Sequence, residues 1–249
     1  MAGHSHWARI KRAKAVTDAR RGRAWGRLSR AIIVAARGGG GDPESNLALR
    51  YAIDAARAEN MPRDTIERAI KKGTGDLGGV QYEELTYEGY GPGGASFLCQ
   101  ALTDNRTRTA GEIKNLCEHN NGNLAAPGAV ARLFTKRGLF IIAPSAATED
   151  RLMELALEVG ADDVRFVDEA FELSCDPGLF GAVRDALAAA KIAVESAELT
   201  MIPSMMVPLT GEAAEKMMKL VQALEDQDDV QNVYSNADIS SEEMDKFAK

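Results

Sequence analysis

The spacing of apolar residues changes once along the chain, and this change limits the folds open to it. Up to about residue 75, apolar residues recur at the three- and four-residue intervals of amphipathic helices. From Val80 onward, short runs typical of strands alternate with helical patterns. The stretch between them, residues 73–79, holds four glycines and one aspartate and is typical of a linker. We therefore predict a helical domain over residues 1–78, followed by α/β structure.

Three helices are predicted within residues 23–75. The first covers residues 23–37; its core side is formed by Trp25, Leu28, Ile32, Ala35 and Ala36, and its cationic side by Arg23, Arg27, Arg30 and Arg37. Glycines 38–41 turn the chain, and Asp42 as N-cap with Pro43 as first residue starts the second helix. Pro62 opens the third helix, which Gly73 ends as its C-cap.

The remaining chain is predicted as two α/β domains, one inserted in the other. Residues 138–202 follow a βαββαβ order, which is the ferredoxin-like arrangement. Before them come strands at 82–89, 95–103 and 129–135 with a helix at 107–120; after them come only a helix at 212–224, a strand at 230–234 and a short tail helix. These last elements bury too little apolar surface to fold alone. The predicted class is therefore α+β, with domains 1–78, 79–136 plus 204–249, and an inserted 137–203.

Charge is distributed unevenly along the chain. The net charge is −7, yet residues 1–75 hold 16 Lys and Arg against 7 Asp and Glu, whereas the remainder holds 14 against 30. A segment with this excess of positive charge favours a polyanion as partner. The alternative is that the basic module docks on the acidic body of the same chain.

Nucleic acid is the polyanion that this pattern predicts. Between Gly3 and Arg23 the cations fall on all sides of a helix, so they form an exposed helix or arm that contacts phosphates. Trp7 is a candidate for base stacking, whereas Trp25 falls on an apolar stripe and is typical of a core residue. The predicted nucleic-acid-binding residues are Trp7, Arg9, Lys11, Arg12, Lys14, Arg20, Arg21, Arg23, Arg27 and Arg30.

A second contact is predicted where a strand passes into a helix at residues 104–109. Asp104, Asn105 or Thr107 there has the chemistry of an N-cap, and Arg106 and Arg108 are candidates for an anion or partner contact. Asp104 and Glu112 are candidates for a pair of carboxylates that carries out acid–base chemistry. Since no nucleophile, histidine or metal set lies near them in sequence, we predict no enzymatic activity.

Other motifs predict no cofactor, metal, small-molecule substrate or membrane anchor. Residues 89–94 match G-x-G-x-x-G, but a strand follows where a dinucleotide site needs a helix, so a hairpin loop is predicted. Cys99, Cys117 and Cys175 are far apart and are predicted to be buried thiols in a reducing compartment. No apolar run approaches the roughly 20 residues that span a bilayer.

Four sequence blocks resemble the YebC family: GHSHWARIKRAKAVTDARRGRAW, NMPRDTIERAIKKGTG, YEGYGPGGASFLCQALTDNRTRT and GNLAAPGAVARLF. The resemblance implies three domains, as the segmentation above also predicts, and further implies that the domains surround a central cleft. Positions that match the family pattern are His4, Ser5, Trp7, Ile10, Lys11, Lys14, Asp18, Arg21, Gly22, Asp104, Asn105, Arg106 and Thr109. The first block begins at Gly3, so we expect no presequence and a cytoplasmic protein.

The resemblance implies regulation of gene expression and leaves two partners open. Bacterial members carry the label of probable transcriptional regulator, which implies DNA binding. Mitochondrial members act as translational activators of cytochrome c oxidase. Still other members resemble ribosome-associated factors, which implies a protein that binds ribosomal RNA and aids the translation of proline-rich nascent chains. The irregular surface of folded RNA suits an arm that is basic on all sides at least as well as a DNA groove does.

Overall fold

The computed structural model describes residues 18–75, 82–167, 169–240 and 242–244, and only the backbone of residues 18–23. The architecture is mixed α/β, with helices packed on antiparallel sheets. In chain order the elements are α1 (Asp18–Gly39), α2 (Leu47–Ala58), α3 (Arg63–Thr74), β1 (Glu83–Tyr90), β2 (Ser96–Thr103), α4 (Arg106–His119), β3 (Asn123–Leu124), β4 (Phe134–Ile142), α5 (Glu149–Val159), β5 (Asp163–Val167), β6 (Ala170–Cys175), α6 (Phe180–Ala189), β7 (Ser196–Pro203), β8 (Val207–Pro208), α7 (Gly211–Asp226), β9 (Val230–Ser235) and β10 (Ala237–Asp238).

The first three helices enclose one apolar core. Its buried members are Ile32, Ile33, Ala36, Leu49, Ile53, Ala56, Met61, Ile66 and Ala69. Helices α1 and α3 meet most closely at Gly73, where an added Cβ would lie 2.5 Å from the carbonyl oxygen of Ile33 and 2.7 Å from the Cβ of Ala36. The two backbones can approach this far only because residue 73 has no side chain.

Two of the predicted helix ends are wrong. Asp42 does not cap α2, because its carboxylate accepts from the N–H of Glu44 in a preceding turn. Asn46 is the N-cap, and its side-chain oxygen accepts from the N–H of Leu49 at 3.1 Å. Gly73 lies inside α3, which ends instead at Gly75, whose φ of 94° is left-handed. The sequence pattern alone did not separate Asp from Asn, or one glycine from the other, since each type suits the position.

The first sheet has the order β3-β1-β2-β9, with every neighbouring pair antiparallel. Helices α4 and α7 cover one face, where Phe97 and Cys99 of β2 pack against Ile113, Met217 and Leu220. The hairpin between β1 and β2 contains the G-x-G-x-x-G match and is the predicted loop. Side chains at two of its glycines would collide with the protein: at Gly89 with Phe97, and at Gly91 with Met217. This loop is therefore packed against the fold.

The second sheet has the order β5-β6-β4-β7, and its neighbouring strands are also antiparallel. Helices α5 and α6 cover one face over a core that includes Phe140, Leu152, Leu173 and Leu187. Along the chain these six elements alternate as strand, helix, strand, strand, helix, strand.

The strand predicted at residues 129–135 is wrong. Residues 127–130 form a turn, Ala131–Leu133 form a single 3-10 turn, and β4 runs without interruption from Phe134 to Ile142. The N–H groups that this strand needed are used elsewhere, since Glu88 accepts from Gly128, Val130 and Ala131. The expected boundary between residues 136 and 137 consequently falls inside β4.

Replacing Gly73 with leucine tests the close contact of α1 and α3. The larger side chain must push against a backbone carbonyl, so we expect the free energy of unfolding to fall by about 1–3 kcal/mol. The measurement is the midpoint of chemical denaturation. Gly111→Ala is the matched control, because Gly111 is exposed in α4 and a Cβ there meets nothing within 4 Å. That control is expected to gain up to about 1 kcal/mol from helix propensity, and an equal loss in both variants would contradict the packing argument.

Candidate nucleic-acid interface

The predicted nucleic-acid-binding residues divide into two groups. Trp7, Arg9, Lys11, Arg12 and Lys14 lie outside the described residues, as do the side chains of Arg20, Arg21 and Arg23. The side chains of Arg27, Arg30, Arg106 and Arg108 are described. Three of these four guanidinium groups bind acceptors within the protein.

Trp25 is part of the helical core, as predicted. Its ring packs against the α1–α3 cluster, and its indole N–H donates to the carbonyl oxygen of Glu59 at 3.1 Å. Glu59 lies in the connection that leads into α3, so this bond joins the two helices near the start of α3. Trp25 is therefore a partly buried residue that packs on the core, as its position on the apolar stripe indicated.

The outer side of α1 docks on an acidic turn formed by residues 225–229. Arg27 donates to the carbonyl oxygen of Glu225 at 3.3 Å, and Arg30 donates to the carbonyl oxygen of Asp228. Asp226, Asp228 and Asp229 add carboxylates to the same turn. These contacts match the alternative drawn from the charge distribution, in which the basic module docks on the acidic body of its own chain.

The acidic turn keeps its shape through the side chain of Gln227. The amide oxygen of Gln227 accepts from the N–H groups of Asp229 and Val230 at 2.7 and 3.0 Å. The amide nitrogen donates to the carboxylate of Glu112 on α4 at 2.8 Å. One side chain therefore fixes the turn between α7 and β9 and ties it to a neighbouring helix.

Asp229 is the centre of a buried polar network. Its Oδ2 atom accepts from the hydroxyls of Thr103 and Thr109 at 3.1 and 2.7 Å and from the guanidinium of Arg108 at 2.8 Å. Its carbonyl oxygen accepts from the N–H of Leu102. Burial raises the pKa of Asp229, but the donors from Thr109, Arg108 and Thr103 outweigh it, and the resulting pKa lies below the ordinary value. The network joins the end of β2, the start of α4 and the acidic turn.

The start of α4 is organised by its N-cap. Asn105 is the cap, accepting from the N–H of Arg108 at 3.1 Å, as one of the predicted alternatives had it. Arg108 bridges Asp104 and Asp229 at 3.0 and 2.8 Å. Arg106 is exposed and forms no ion pair with a described residue. Of the predicted second contact, only Arg106 thus retains an unpaired charge.

A cleft of about 720 Å³ opens between α1, α4 and the acidic turn. Its walls are formed by Arg30, Tyr82, Asp104, Arg108, Glu112, Asp226, Gln227, Asp228 and Asp229. Five carboxylates against two guanidinium groups give it negative charge. Across the parts of the chain that the structure describes, His, Cys, Asp and Glu side chains nowhere converge in a group suited to a metal ion.

Glu88 fixes the loop at residues 125–131, a role that the sequence pattern did not reveal. Its buried carboxylate accepts from the backbone N–H groups of Gly128, Val130 and Ala131 at 2.6, 2.6 and 2.7 Å. Burial raises its pKa, but these three donors outweigh it and leave the pKa below the ordinary value. Pro127 and Gly128 are exposed at the tip of the loop, so a rigid loop is presented to solvent.

The three cysteines are buried thiols, as predicted. Burial raises the pKa of Cys117 to about 11 and that of Cys175 to about 11. It also raises the pKa of Cys99. At neutral pH they are therefore protonated and belong to the apolar cores.

The helical unit also contacts the second sheet's helices. Tyr51 of α2 packs edge-on against Phe180 of α6, with ring centroids 5.5 Å apart. The guanidinium of Arg184 lies 5.8 Å from the centroid of the Tyr51 ring. Helices α1 and α2 thus bind two different parts of the α/β structure.

The cations of α2 and α3 differ in whether they are neutralised. Arg50, Arg57 and Arg63 form ion pairs with Glu44, Asp54 and Glu67. Arg68 donates only to the backbone carbonyl of Asp64, and the ammonium groups of Lys71 and Lys72 form no ion pair with a described residue. Arg68, Lys71 and Lys72 are not among the binding residues predicted from the sequence. The signal that could have revealed them is their spacing, which places all three on one exposed side of α3.

Replacing Asp229 with asparagine tests the network and its dependence on pH. Asparagine removes the negative charge from a group that accepts three hydrogen bonds. We therefore expect the free energy of unfolding to fall by about 2 kcal/mol at neutral pH. Folding depresses the pKa of Asp229, so its stabilisation is complete above the unfolded-state pKa of about 4 and is lost as the pH falls through the lower folded-state value.

Denaturation at several pH values should therefore show the two proteins converging below about pH 4. Asp228→Asn is the control, because it removes an exposed carboxylate from the same turn and leaves the carbonyl that accepts from Arg30. A difference between Asp229→Asn and the unaltered protein that persists unchanged at acid pH would contradict the ionised network.

None of the described helices combines the length and apolar character that crossing a bilayer requires.

Comparison with known proteins identifies the family. Residues 5–76 match the model described as the TACO1/YebC protein N-terminal domain, and residues 82–237 match that of the TACO1/YebC second and third domain. The chain is 53% identical over 247 residues to the probable transcriptional regulatory protein GSU1074 of Geobacter sulfurreducens, covering 99% of this chain and 100% of that protein.

Two further similarities extend over nearly the whole chain. A probable transcriptional regulatory protein of Pelotomaculum thermopropionicum is 52% identical over 241 residues, covering 96% of this chain and 99% of that protein. The crystal structure of a conserved hypothetical protein, Aq1575 from Aquifex aeolicus, superposes with a TM-score of 0.83 at 43% identity, covering 95% of this chain and 98% of that one. The chain belongs to the TACO1/YebC family.

Proposed function

We propose that this protein is a non-enzymatic regulator of transcription that binds DNA through the basic segment at residues 1–23. The observation that carries the proposal is the charge of that segment, which holds seven Lys and Arg against one Asp. Cations that meet phosphates release condensed counterions, so such a segment binds a polyanion strongly and with marked dependence on salt. The names of the bacterial relatives, probable transcriptional regulatory proteins, agree with this role.

The proposed binding residues are those of the segment itself: Trp7, Arg9, Lys11, Arg12, Lys14, Arg20, Arg21 and Arg23. Arg27, Arg30 and Arg108 leave the proposed surface, since their guanidinium groups bind acceptors inside the protein. Arg106 stays as a candidate second contact because it is exposed and forms no ion pair with a described residue.

The framework of this proposal is three domains, with the third inserted in the second. The expected bounds were 1–78, 79–136 plus 204–249, and 137–203 for a ferredoxin-like domain. Two observations support an insertion: β9 pairs with β2, and one core combines residues from before β4 and after β7. Because β4 begins at Phe134, we place the inner bounds at 133/134 and 203/204.

We propose neither a catalytic role nor a cofactor. The two carboxylates considered for acid–base chemistry are both bound to neighbours, Asp104 to Arg108 and Glu112 to Gln227. The named relatives come from bacteria, where a protein that acts on DNA works in the cytoplasm, and that is the location we propose.

Ribosomal RNA is the second candidate partner. The cations of residues 3–23 would lie on all sides of a helix, which suits the irregular surface of folded RNA. The acidic remainder of the chain would then face proteins or solvent. Both partners offer phosphate to the same residues, so the experiment must separate them.

Replacing Arg9, Lys11, Arg12 and Lys14 together with glutamine tests the proposed segment. We expect weaker binding to duplex DNA and a salt dependence whose slope is lower by about 3–4, because each lost phosphate contact lowers it by about 1. Fluorescence anisotropy of a labelled duplex between about 50 and 200 mM salt measures both quantities.

The matched control replaces Lys114, Lys136, Lys216 and Lys219 with glutamine, which removes the same charge from the α/β structure. Equal effects of both variants, or unchanged binding in the first, would contradict the proposed segment. Crosslinking of the full chain in cells, with sequencing of attached DNA and RNA, separates the partners. Promoter-associated DNA supports transcription, and ribosomal RNA without such DNA would overturn that role.

A further inference from the structure

Within residues 24–75, most of the positive charge is already engaged. This part of the chain holds nine Lys and Arg and six Asp and Glu. Arg27 and Arg30 bind the acidic turn, three more arginines form ion pairs with neighbouring carboxylates, and Arg37 also has an interaction partner. Arg68, Lys71 and Lys72 form no ion pair with any described residue. The unneutralised cations are therefore concentrated on α3.

These three residues share one side of α3. Ile66, Ala69 and Gly73 are buried against α1 and α2, and the 100° step of a helix places residues 68, 71 and 72 away from that side. Arg68 and Lys71 are exposed and Lys72 is half-buried. Along the helix axis they lie within about 6 Å of one another, a length in which one DNA strand rises by about two phosphates.

The position of α3 relates this surface to the basic segment. The bond from Trp25 to Glu59 brings the connection before α3 next to the part of α1 that follows residue 23. At the other end, Gly73 contacts Ile33 and Ala36 of α1. Helix α3 therefore runs along α1 in the same direction, so Arg68, Lys71 and Lys72 lie beside the second half of α1, roughly 10–20 Å along the helix axis from residue 23.

We propose that the exposed side of α3, formed by Arg68, Lys71 and Lys72, is a second binding surface for the phosphate backbone of the nucleic acid. This inference rests on the proposed function and adds a surface to it. It also assigns different tasks to two helices that both carry cations. Arg27 and Arg30, on the outer side of α1, hold the helical unit on the acidic turn. The cations on the exposed side of α3 bind the nucleic acid.

Two opposing charges are too small to cancel this surface. The carboxyl end of a helix carries about half a negative charge, and the last turn of α3 already has one carbonyl, that of Lys71, accepting from the N–H of Gly75. Asp64 lies one turn before Arg68 on the same side and forms no ion pair with it. Glu67, one turn before Lys71, is paired with Arg63, and the three positive charges exceed the sum of the two that remain.

The test replaces Arg68, Lys71 and Lys72 with glutamine in the full chain and measures its affinity for duplex DNA. We expect affinity to fall at least about tenfold at low salt, and the slope of its salt dependence to fall by about 2–3, one unit for each contact. The matched control replaces Arg50, Arg57 and Arg63 with glutamine. It removes the same charge from the same helical unit, but each of these arginines is already paired, so its slope is expected to stay nearly unchanged.

Each outcome separates this inference from the function it rests on. A triple variant of α3 that binds like the unaltered protein, or that loses no more than the control, overturns the second surface while DNA binding stands. Absence of salt-dependent binding by the unaltered protein overturns the proposed function itself. Thermal unfolding of both variants by circular dichroism shows whether a loss of binding comes from a loss of fold, and replacing Lys71 alone gives a milder variant in that case.

Discussion

The hydrogen bonds of the buried Asp229 carboxylate are the interaction on which the docking of α1 against the α/β structure depends. This carboxylate accepts from Thr103, Thr109 and Arg108, which belong to the end of β2 and the first turns of α4. Because these donors outweigh the cost of burial, the group stays ionised and holds the acidic turn in one position. The carbonyl groups of that turn then accept from Arg27 and Arg30. The position of α1 thus follows from a contact made between β2 and α4.

This docking divides the positive charge of the chain into two kinds. The arginines on the outer side of α1 are held against a surface rich in carboxylates, and several others are neutralised locally. Within residues 24–75, the cations without an ion pair to a described residue are concentrated on the exposed side of α3, and the sequence of residues 1–23 adds seven more Lys and Arg. A protein with a net charge of −7 can bind a polyanion in this way, because its positive charge is concentrated in residues 1–75 and its negative charge in the remainder of the chain.

Helices and strands set by local apolar periodicity could be predicted from the sequence. Elements whose ends depend on a residue far away in the sequence could not. The apolar stripes of α1 and α3 and the pairing partners of the hairpin needed only local periodicity. The strand expected at residues 129–135 failed because Glu88, some forty residues away, takes its N–H groups. Local sequence places Gly73 at a helix end, since its contact is with Ile33 of another helix and leaves no local signal. In the same way, Arg27 and Arg30 are predicted to bind nucleic acid, because the acidic turn that accepts their hydrogen bonds is almost 200 residues away in the sequence.

Amide hydrogen exchange of the full chain, with and without duplex DNA, distinguishes a partner bound by α3 from one bound by α1. We expect slower exchange on DNA binding in residues 1–23 and in the second half of α3, around residues 68–74, with exchange at residues 225–229 unchanged. Faster exchange at residues 225–229, together with no change in α3, would mean that Arg27 and Arg30 leave the acidic turn to bind DNA. That result would contradict the division of tasks between α1 and α3.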